Sequence, residues 1–370
     1  MKSKFSTFII SIVLVLITLI MILLGIIFYN ELKNMEISVD PENFKTIISS
    51  ENTIDKDIET LEIIENPFDG NSETEEVDYS SVNIDKYFYN QLNDYEKLIY
   101  KAFESNKENM KTGDYKVEFG SSFSEILNKE DGQDELGRYY QSAIEAYTYD
   151  NPDVFYLSPN KMYLNIETTT RGSKTTYYVY MNNGNQDNYL IDEFSSKEQI
   201  DEAISRLEEI KNTIIENKTG NAYKDIKMVH DYLVENIEYD TSISKQNIYN
   251  IYGALINGEA VCEGYARGFK YLIDGLGIPC TLVIGKGTNS EGNTENHAWN
   301  YVQVSDNWYA IDCTWDDPVV EGGGWVSKSS KYKYFLKGSY DILKDHIANG
   351  QFTEGGKKFN YPELNSSNYQ

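Results

Sequence analysis

Three residues of this chain have the types and the order that a thiol nucleophile requires. Cys262 lies in the stretch NGEAVCEGYA at 257–266, and His297 and Asp312 follow it along the chain. The thiol needs a base to take its proton, and the base needs a carboxylate to orient its ring. The chain has only three cysteines and three histidines, so this ordered set predicts a Cys-His-Asp catalytic triad.

The residues around Cys262 predict that it begins a buried helix. Asn257 and Gly258 are typical of a turn, and apolar residues then recur at helical spacing until Gly275 and Pro279 end the pattern. Unpaired backbone N–H groups and the helix dipole favour a thiolate at such a position. The same N–H groups can hold a developing oxyanion. A glycine at position 264 permits close approach of the helix to a neighbouring element.

His297 and Asp312 fall on two segments that we expect to pair as antiparallel strands. Residues 297–304 alternate in character, a polar turn follows, and 308–313 forms the return strand. A two-residue turn at 305–306 places the two side chains on one face of the sheet as diagonal neighbours. A loop with an odd number of residues would turn Asp312 to the opposite face.

Each of these residue types also has an ordinary structural role. A lone cysteine is commonly a small buried hydrophobe, and we assign Cys280 and Cys313 to that role. We assign His230 to a helix face. His346 follows a predicted strand at 332–336 and is expected in a short helix, from which it would cap or brace the site from behind. The sequence contains neither HExxH nor CxxC, so we predict no metal and no cofactor.

Several separated motifs resemble the transglutaminase-like superfamily, whose fold is related to that of papain. They are VCEGYA at 261–266, GIP at 277–279, HAWN at 297–300, WYAIDCTW at 308–315, and MVHDYL at 228–233 followed by Tyr239 and Asp240. The resemblance covers roughly residues 216–345. It implies that Cys262 is the nucleophile, His297 the base and Asp312 the orienting carboxylate. It also implies an oxyanion partner upstream of the nucleophile, for which Tyr239 is our candidate, with core packing as the alternative role.

The resemblance implies a fold class and a range of activities. The expected class is α/β (α+β), with a papain-like catalytic domain in which a helix-borne cysteine packs on an antiparallel sheet. The family includes protein cross-linkers, peptidases, deamidases and inactive binding modules. We expect a cell-surface thiol enzyme that acts on amide bonds, in a peptide or a Gln side chain, through an acyl-thioester. Hydrolysis is slightly favoured over transfer to an amine. The alternative is a non-catalytic cell-wall binding or scaffold module that retains the triad.

The N-terminal segment predicts how the chain is placed in the cell. Residues 5–29 are apolar and uncharged, and about 20 such residues span a bilayer. Lysines at 2 and 4 precede them, so we expect a single-pass signal anchor with residues 1–4 in the cytoplasm and the catalytic domain extracellular. A cleaved signal peptide is the alternative. We expect residues 30–85, which carry about half of the net charge of −26, to form an acidic flexible stalk.

The remaining boundaries follow from periodicity and from the resemblance. Residues 86–215 are expected to form a small α/β accessory domain, with 216–345 as the catalytic domain and 346–370 as a C-terminal tail. The accessory domain is predicted to contain helices at 87–103, 136–147 and 196–215 and strands at 154–157, 162–168 and 175–181. The expected partner is a protein or peptide substrate, with the cell wall as a candidate source. The acidity of the chain argues against nucleic acid.

Overall fold

The computed structural model describes residues 77–79, 81–171, 174–317, 330–351, 353 and 356–370. All of them belong to one compact unit. The predicted cytoplasmic terminus at 1–4, the anchor at 5–29 and most of the stalk at 30–85 lie outside the described residues. Among the described residues, no helix combines the length and the apolar character needed to cross a bilayer.

The described chain alternates helices with strands that are antiparallel except for β4 and β5. The α-helices are α1 (Asp94–Ser105), α2 (Lys107–Met110), α3 (Ser124–Leu127), α4 (Gly132–Asp150), α5 (Lys197–Glu216), α6 (Ala222–Asn236), α7 (Cys262–Gly275), α8 (Cys313–Asp316) and α9 (Ser339–Ile342). The strands are β1 (Val117–Gly120), β2 (Tyr163–Arg171), β3 (Lys174–Asn182), β4 (Glu238–Tyr239), β5 (Glu259–Ala260), β6 (Cys280–Thr288), β7 (Thr294–Val304), β8 (Asn307–Ile311) and β9 (His346–Ala348). This mixed helix-and-sheet architecture agrees with the predicted fold class.

The first sheet has the strand order β1-β3-β2 and is antiparallel throughout. The predicted hairpin is present as β2 and β3, whereas β1 was not expected because it is only four residues long. The predicted strand at 154–157 is wrong. A 3-10 helix covers Pro152–Val154 instead, since proline fixes the φ angle that starts such a turn and provides no N–H for a strand ladder.

The second sheet has the order β8-β7-β6-β9 and carries His297 on β7. The predicted return strand 308–313 is too long, since β8 ends at Ile311 and Asp312 follows it. Val304 pairs with Asn307, so the predicted two-residue turn is confirmed. Both turn residues, Ser305 and Asp306, have positive φ angles of 50° and 65°. Such angles match the right-handed twist of the strands that they join. The register that the triad requires is therefore set by local backbone geometry.

Two predictions for the C-terminal part of the chain are wrong. The segment 332–336 is not a strand, since a 3-10 helix at Ser330–Tyr332 leads into turns there. His346 does not lie in a helix but opens β9, which pairs with β6 at the edge of the second sheet. Alternating tyrosines favoured a strand in 332–336, but the ring of Tyr334 packs on Trp315 and His346, and that of Tyr332 packs on His230 and Phe335.

One hydrophobic cluster runs through both halves of the described chain. Phe103 and Tyr147 of the predicted accessory range belong to the same cluster as Phe269 and Leu272 of α7. Phe359, from the predicted tail, is also buried in it. The separation into an accessory and a catalytic domain stays a prediction, but the two ranges share a core.

Candidate active site

Cys262 occupies the first position of α7. The preceding residue, Val261, has an extended backbone with φ −98° and ψ −179°, and its carbonyl accepts the N–H of Tyr265 at 3.1 Å. The thiol of Cys262 is partly exposed, while Cys280 and Cys313 are buried, and all three are free thiols. The predicted placement of Cys262 at a helix N-terminus is confirmed, and it is the most accessible of the three cysteine residues.

Gly264 allows α7 to begin where it does. A Cβ atom at this position would lie 2.4 Å from the carbonyl oxygen of Ile248 and 2.8 Å from the Cβ of Ala260. Real Cβ atoms do not approach other atoms so closely, so a larger residue would push the helix away from the 3-10 segment Asn247–Tyr249. The close approach that the sequence predicted at this glycine is confirmed.

His297 and Asp312 are in direct contact. The Nε2 atom of His297 lies 2.8 Å from Oδ2 of Asp312, and both side chains are buried. The other oxygen, Oδ1, accepts the backbone N–H groups of Thr314 at 3.0 Å and Trp315 at 3.2 Å. Asp312 is therefore the N-cap of α8 as well as the partner of His297, and these contacts fix its orientation.

Two tryptophans hold the ring of His297 in place. Trp315 stacks on it with a centroid distance of 4.8 Å, and Trp299 lies at 5.9 Å with an interplanar angle of 23°. The sequence analysis assigned no role to either residue. The position of Trp299 could have been predicted from the sequence, because it lies two positions after His297 and therefore on the same face of the strand. Stacking restricts the rotation of the imidazole and excludes water from its faces.

The charges of the site favour a protonated histidine beside an ionised carboxylate. Burial alone lowers the pKa of His297, but the neighbouring Asp312 and the interaction with Cys262 outweigh it and raise this pKa to about 10. Burial alone raises the pKa of Asp312, but His297 and His346 outweigh it and hold this pKa well below its usual range. Cys262 also raises the pKa of His297, through both a hydrogen bond and its charge. Because Nε2 of His297 contacts Asp312, Nδ1 is the ring nitrogen left to face Cys262.

Tyr239, the oxyanion candidate, lies beside the strand that leads into Cys262. Strands β4 and β5 pair in parallel, with Tyr239 opposite Ala260. Burial raises the pKa of Tyr239, and the negative charges of Cys262 and Glu295 raise it further, so the phenol keeps its proton at neutral pH. The structure therefore brings a hydrogen-bond donor near the thiol, while its role in catalysis stays a prediction.

His346 is brought to the site from the edge strand. It is fully buried, and its Nε2 atom lies 3.0 Å from the same Oδ2 of Asp312 that contacts His297. The sequence placed this residue behind the site but could not show the contact, because it depends on the pairing of β9 with β6. His230, by contrast, faces Asp316 with its Nε2 at 3.1 Å and lies on α6 as expected.

One group of described side chains has the donor types of a metal site. The ligand atoms of His297, Asp312 and His346 all lie within 4.8 Å of one another. Each histidine already faces the same carboxylate oxygen at hydrogen-bond distance, 2.8 Å and 3.0 Å. Zinc would need the three ligand atoms to converge on a shared point about 2.0–2.2 Å from each. Hydrogen bonding accounts for the observed arrangement without an ion.

Comparison with known proteins agrees with this geometry. Residues 208–313 match the model of the transglutaminase-like superfamily, so this part of the chain is similar to the domains of that family. The matched segment contains Cys262, His297 and Asp312, and the family supports the general class of thiol enzymes.

Individual relatives are distant. The kyphoscoliosis peptidase of Mus musculus is 24% identical over 156 residues, which are 37% of this chain and 23% of that protein. The Homo sapiens protein of the same name is 24% identical over 170 residues, 41% of this chain and 24% of its own length. The chain thus aligns with about a quarter of these relatives.

Solved structures are similar over less than half of this chain. A TGase crystal structure is 16% identical, with 47% of this chain and 50% of that one covered and a TM-score of 0.29. A candidate cysteine protease from Cytophaga hutchinsonii is also 16% identical, with 43% and 68% covered and a TM-score of 0.25.

Proposed function

We propose that this protein is a thiol enzyme that acts on amide bonds of a peptide or a Gln side chain, with Cys262, His297 and Asp312 as its triad. The observation that carries the proposal is the position of His297. Its ring touches Asp312 at 2.8 Å through one nitrogen and interacts with a partly exposed helix-terminal thiol. A thiol, a base and an orienting carboxylate in this order form the arrangement that nucleophilic catalysis requires.

The proposed reaction has two halves. His297 takes the thiol proton of Cys262, and the resulting thiolate attacks the carbonyl carbon of the amide. As the C–N bond breaks, His297 gives the proton to the departing amine, and an acyl-thioester remains on Cys262. Water then loses a proton to His297 and attacks the thioester. The C–S bond breaks, the acid leaves, and the sulfur regains its proton.

An amine in place of water in the second half would make the protein a transferase. We favour hydrolysis slightly, since an enzyme bathed in water needs special exclusion of water to favour transfer. The partly exposed position of Cys262 agrees with access for water. The alternative function is a non-catalytic cell-wall binding or scaffold module that retains the three residues by descent.

We also propose that the enzyme works at the cell surface, anchored by residues 5–29, on protein or peptide substrates for which the cell wall is a candidate source. The uncharged N-terminal run and the acidic stretch after it support this location. The net charge of −26 disfavours nucleic acid as a partner.

Covalent capture tests the proposal. Full-length protein is incubated with cell-envelope peptides and quenched in acid, and acyl adducts on Cys262 are sought by mass spectrometry. We expect adducts on the wild type and none on Cys262→Ala, whose melting temperature should stay within a few degrees because the residue lies at a helix end. Amide turnover that survives in Cys262→Ala would refute the triad. A wild type without adducts or turnover would favour the scaffold alternative.

A further inference from the structure

The side chain of His346 faces a carboxylate at each of its two ring nitrogens. Nε2 lies 3.0 Å from Oδ2 of Asp312, and Nδ1 lies 2.7 Å from Oδ1 of Asp345. The ring itself is fully buried. An ionised carboxylate can only accept hydrogen bonds, so both contacts are hydrogen bonds only when His346 carries a proton on each nitrogen. Each ring nitrogen of His346 therefore faces an acceptor.

The ring is also fixed in position by aromatic neighbours. Its centroid lies 4.5 Å from that of Trp315, 5.0 Å from that of Trp299 and 5.2 Å from that of Tyr334. The two tryptophans are those that stack on His297, whose own centroid is 5.4 Å away. One aromatic cage thus holds both histidines on the same carboxylate.

Both histidines contact a single atom, Oδ2 of Asp312, while Oδ1 is occupied by backbone N–H groups. An oxygen that accepts two charge-assisted hydrogen bonds shares its electron density between them, so each bond is weaker than it would be alone. A positive charge on His346 also opposes a positive charge on His297 at this distance.

We propose that His346 is a positioning residue of the active site, which holds Asp312 from behind and, by sharing its Oδ2 atom, limits how strongly Asp312 holds the proton of His297. The inference rests on the proposed function, since it assigns His346 a role in the work of that triad. A general base that is too basic cannot release its proton to the departing amine, so a second donor on Asp312 serves the reaction.

Several other titratable or charged groups lie around His297 and His346 and affect their protonation. The hydroxyl of Tyr334 donates to Oδ2 of Asp345 at 2.8 Å, and the ammonium of Lys333 lies 2.7 Å from that hydroxyl. From α7, Cys262 acts on His297. From α8 and β9, Asp312 and Asp345 act on His346.

The experiment compares His346→Gln with the wild type by NMR of the full-length, histidine-labelled chain. The Nε2 proton of His297 is observed at neutral pH, and its titration midpoint is then followed. Glutamine keeps one donor near Asp312 but carries no charge. We expect the Nε2 proton to move downfield and the midpoint to rise by about one pH unit, as a nearby unit charge contributes on this order.

A matched control is His230→Gln. His230 is equally buried and also lies between two carboxylates, Asp231 and Asp316, but it does not touch Asp312. We expect no change at His297 in this variant. An equal shift in both variants would overturn the proposal, since it would reveal general loosening of the fold.

A folded His346→Gln protein with unchanged His297 signals would also overturn the proposed role of His346. If the His346→Gln variant does not fold, Asp345→Asn is compared with the wild type instead. This substitution removes the carboxylate charge beside Nδ1 of His346 and keeps nearly the same side-chain volume. The same shifts, but smaller, are expected there, and unchanged signals would again refute the role. The readout needs no turnover, so the two failures are distinguishable: unchanged His297 signals would refute the role of His346, whereas missing adducts and turnover in the capture experiment would refute the proposed function.

Discussion

The imidazole of His297 lies between a carboxylate and a thiol, and its charge state decides what Cys262 can do. Asp312 stabilises the imidazolium against the cost of burial, which is why the pKa of His297 rises to about 10. A protonated histidine beside the thiol favours the thiolate, which is the reactive form of cysteine. The site is therefore built as an ion pair whose positive member is held by Asp312.

The raised pKa of His297 makes folding stability depend on pH. The folded state binds this proton up to about pH 10, whereas the unfolded chain releases it near 6.5. The resulting stabilisation is complete below pH 6.5 and is lost as the pH rises to 10. In a Cys262→Ala background, where no thiol proton compensates, we expect the difference in unfolding free energy caused by His297→Gln to shrink by up to about 1.4 kcal/mol per pH unit in this window.

Urea denaturation of both proteins at several pH values measures that difference, and titrating groups that do not interact with His297 cancel in it. A difference that stays constant from pH 6.5 to 10 would show that His297 is not charged in the folded protein.

The sequence identified these residues because type, order and alternation constrain a triad strongly. It could not show the contacts of His346 or the stacking of Trp315, because these depend on how α8 and β9 pack on the sheet. The contact of His346 with Asp312, for example, joins residues 34 positions apart.

The start of α7 is the element that places the thiol. A Cβ atom at Gly264 would lie 2.4 Å from the carbonyl oxygen of Ile248, whereas one at Gly268 would meet only side chains at 3.5 Å or more, which is ordinary contact. We expect Gly264→Ala to cost about 1–3 kcal/mol of stability through overpacking and to slow alkylation of Cys262. Gly268→Ala is the matched control and should gain about 0.5–1 kcal/mol, since alanine favours helix.

Thermal melts and alkylation rates of the two variants provide the measurement. If Gly264→Ala melts and reacts like the wild type, the close approach of α7 to the 3-10 segment does not position Cys262.

Elements with strong local signals were predictable from the sequence. Ser196 begins α5 by accepting the N–H of Gln199, and the hairpin turn at 305–306 fixes the register of β7 and β8. Elements that depend on distant partners were not. Strand β1 has four residues and is held by β3, more than 50 positions later in the chain.

At the scale of the whole molecule, a shared core links the predicted accessory and catalytic ranges. Arg267 of α7 donates to the carbonyl of Thr148 in α4, and Asn250 donates to the carbonyl of Phe155. Sequence periodicity finds each helix but not the surface that it shares with another, so it could not show that residues of both ranges belong to one hydrophobic cluster.

The proposed location can be tested on intact cells. Protease added outside should degrade the chain beyond about residue 30 and spare the membrane segment, because the lysines before the apolar run keep the N-terminus inside. Protection of the whole chain would contradict the extracellular placement. A mature N-terminus near residue 30 would instead indicate a cleaved signal.

The pairing of Cys262 with His297 is tested most directly by alkylation kinetics. Iodoacetamide labelling is followed between pH 6 and 9 in the wild type and in His297→Gln, with Cys262→Ala to measure background from the two buried cysteines. We expect rapid labelling of the wild type well below pH 8 and a rate at least about tenfold lower in His297→Gln at neutral pH. Equal rates in both proteins, rising only above pH 8 as for a free thiol, would contradict an activated nucleophile at Cys262.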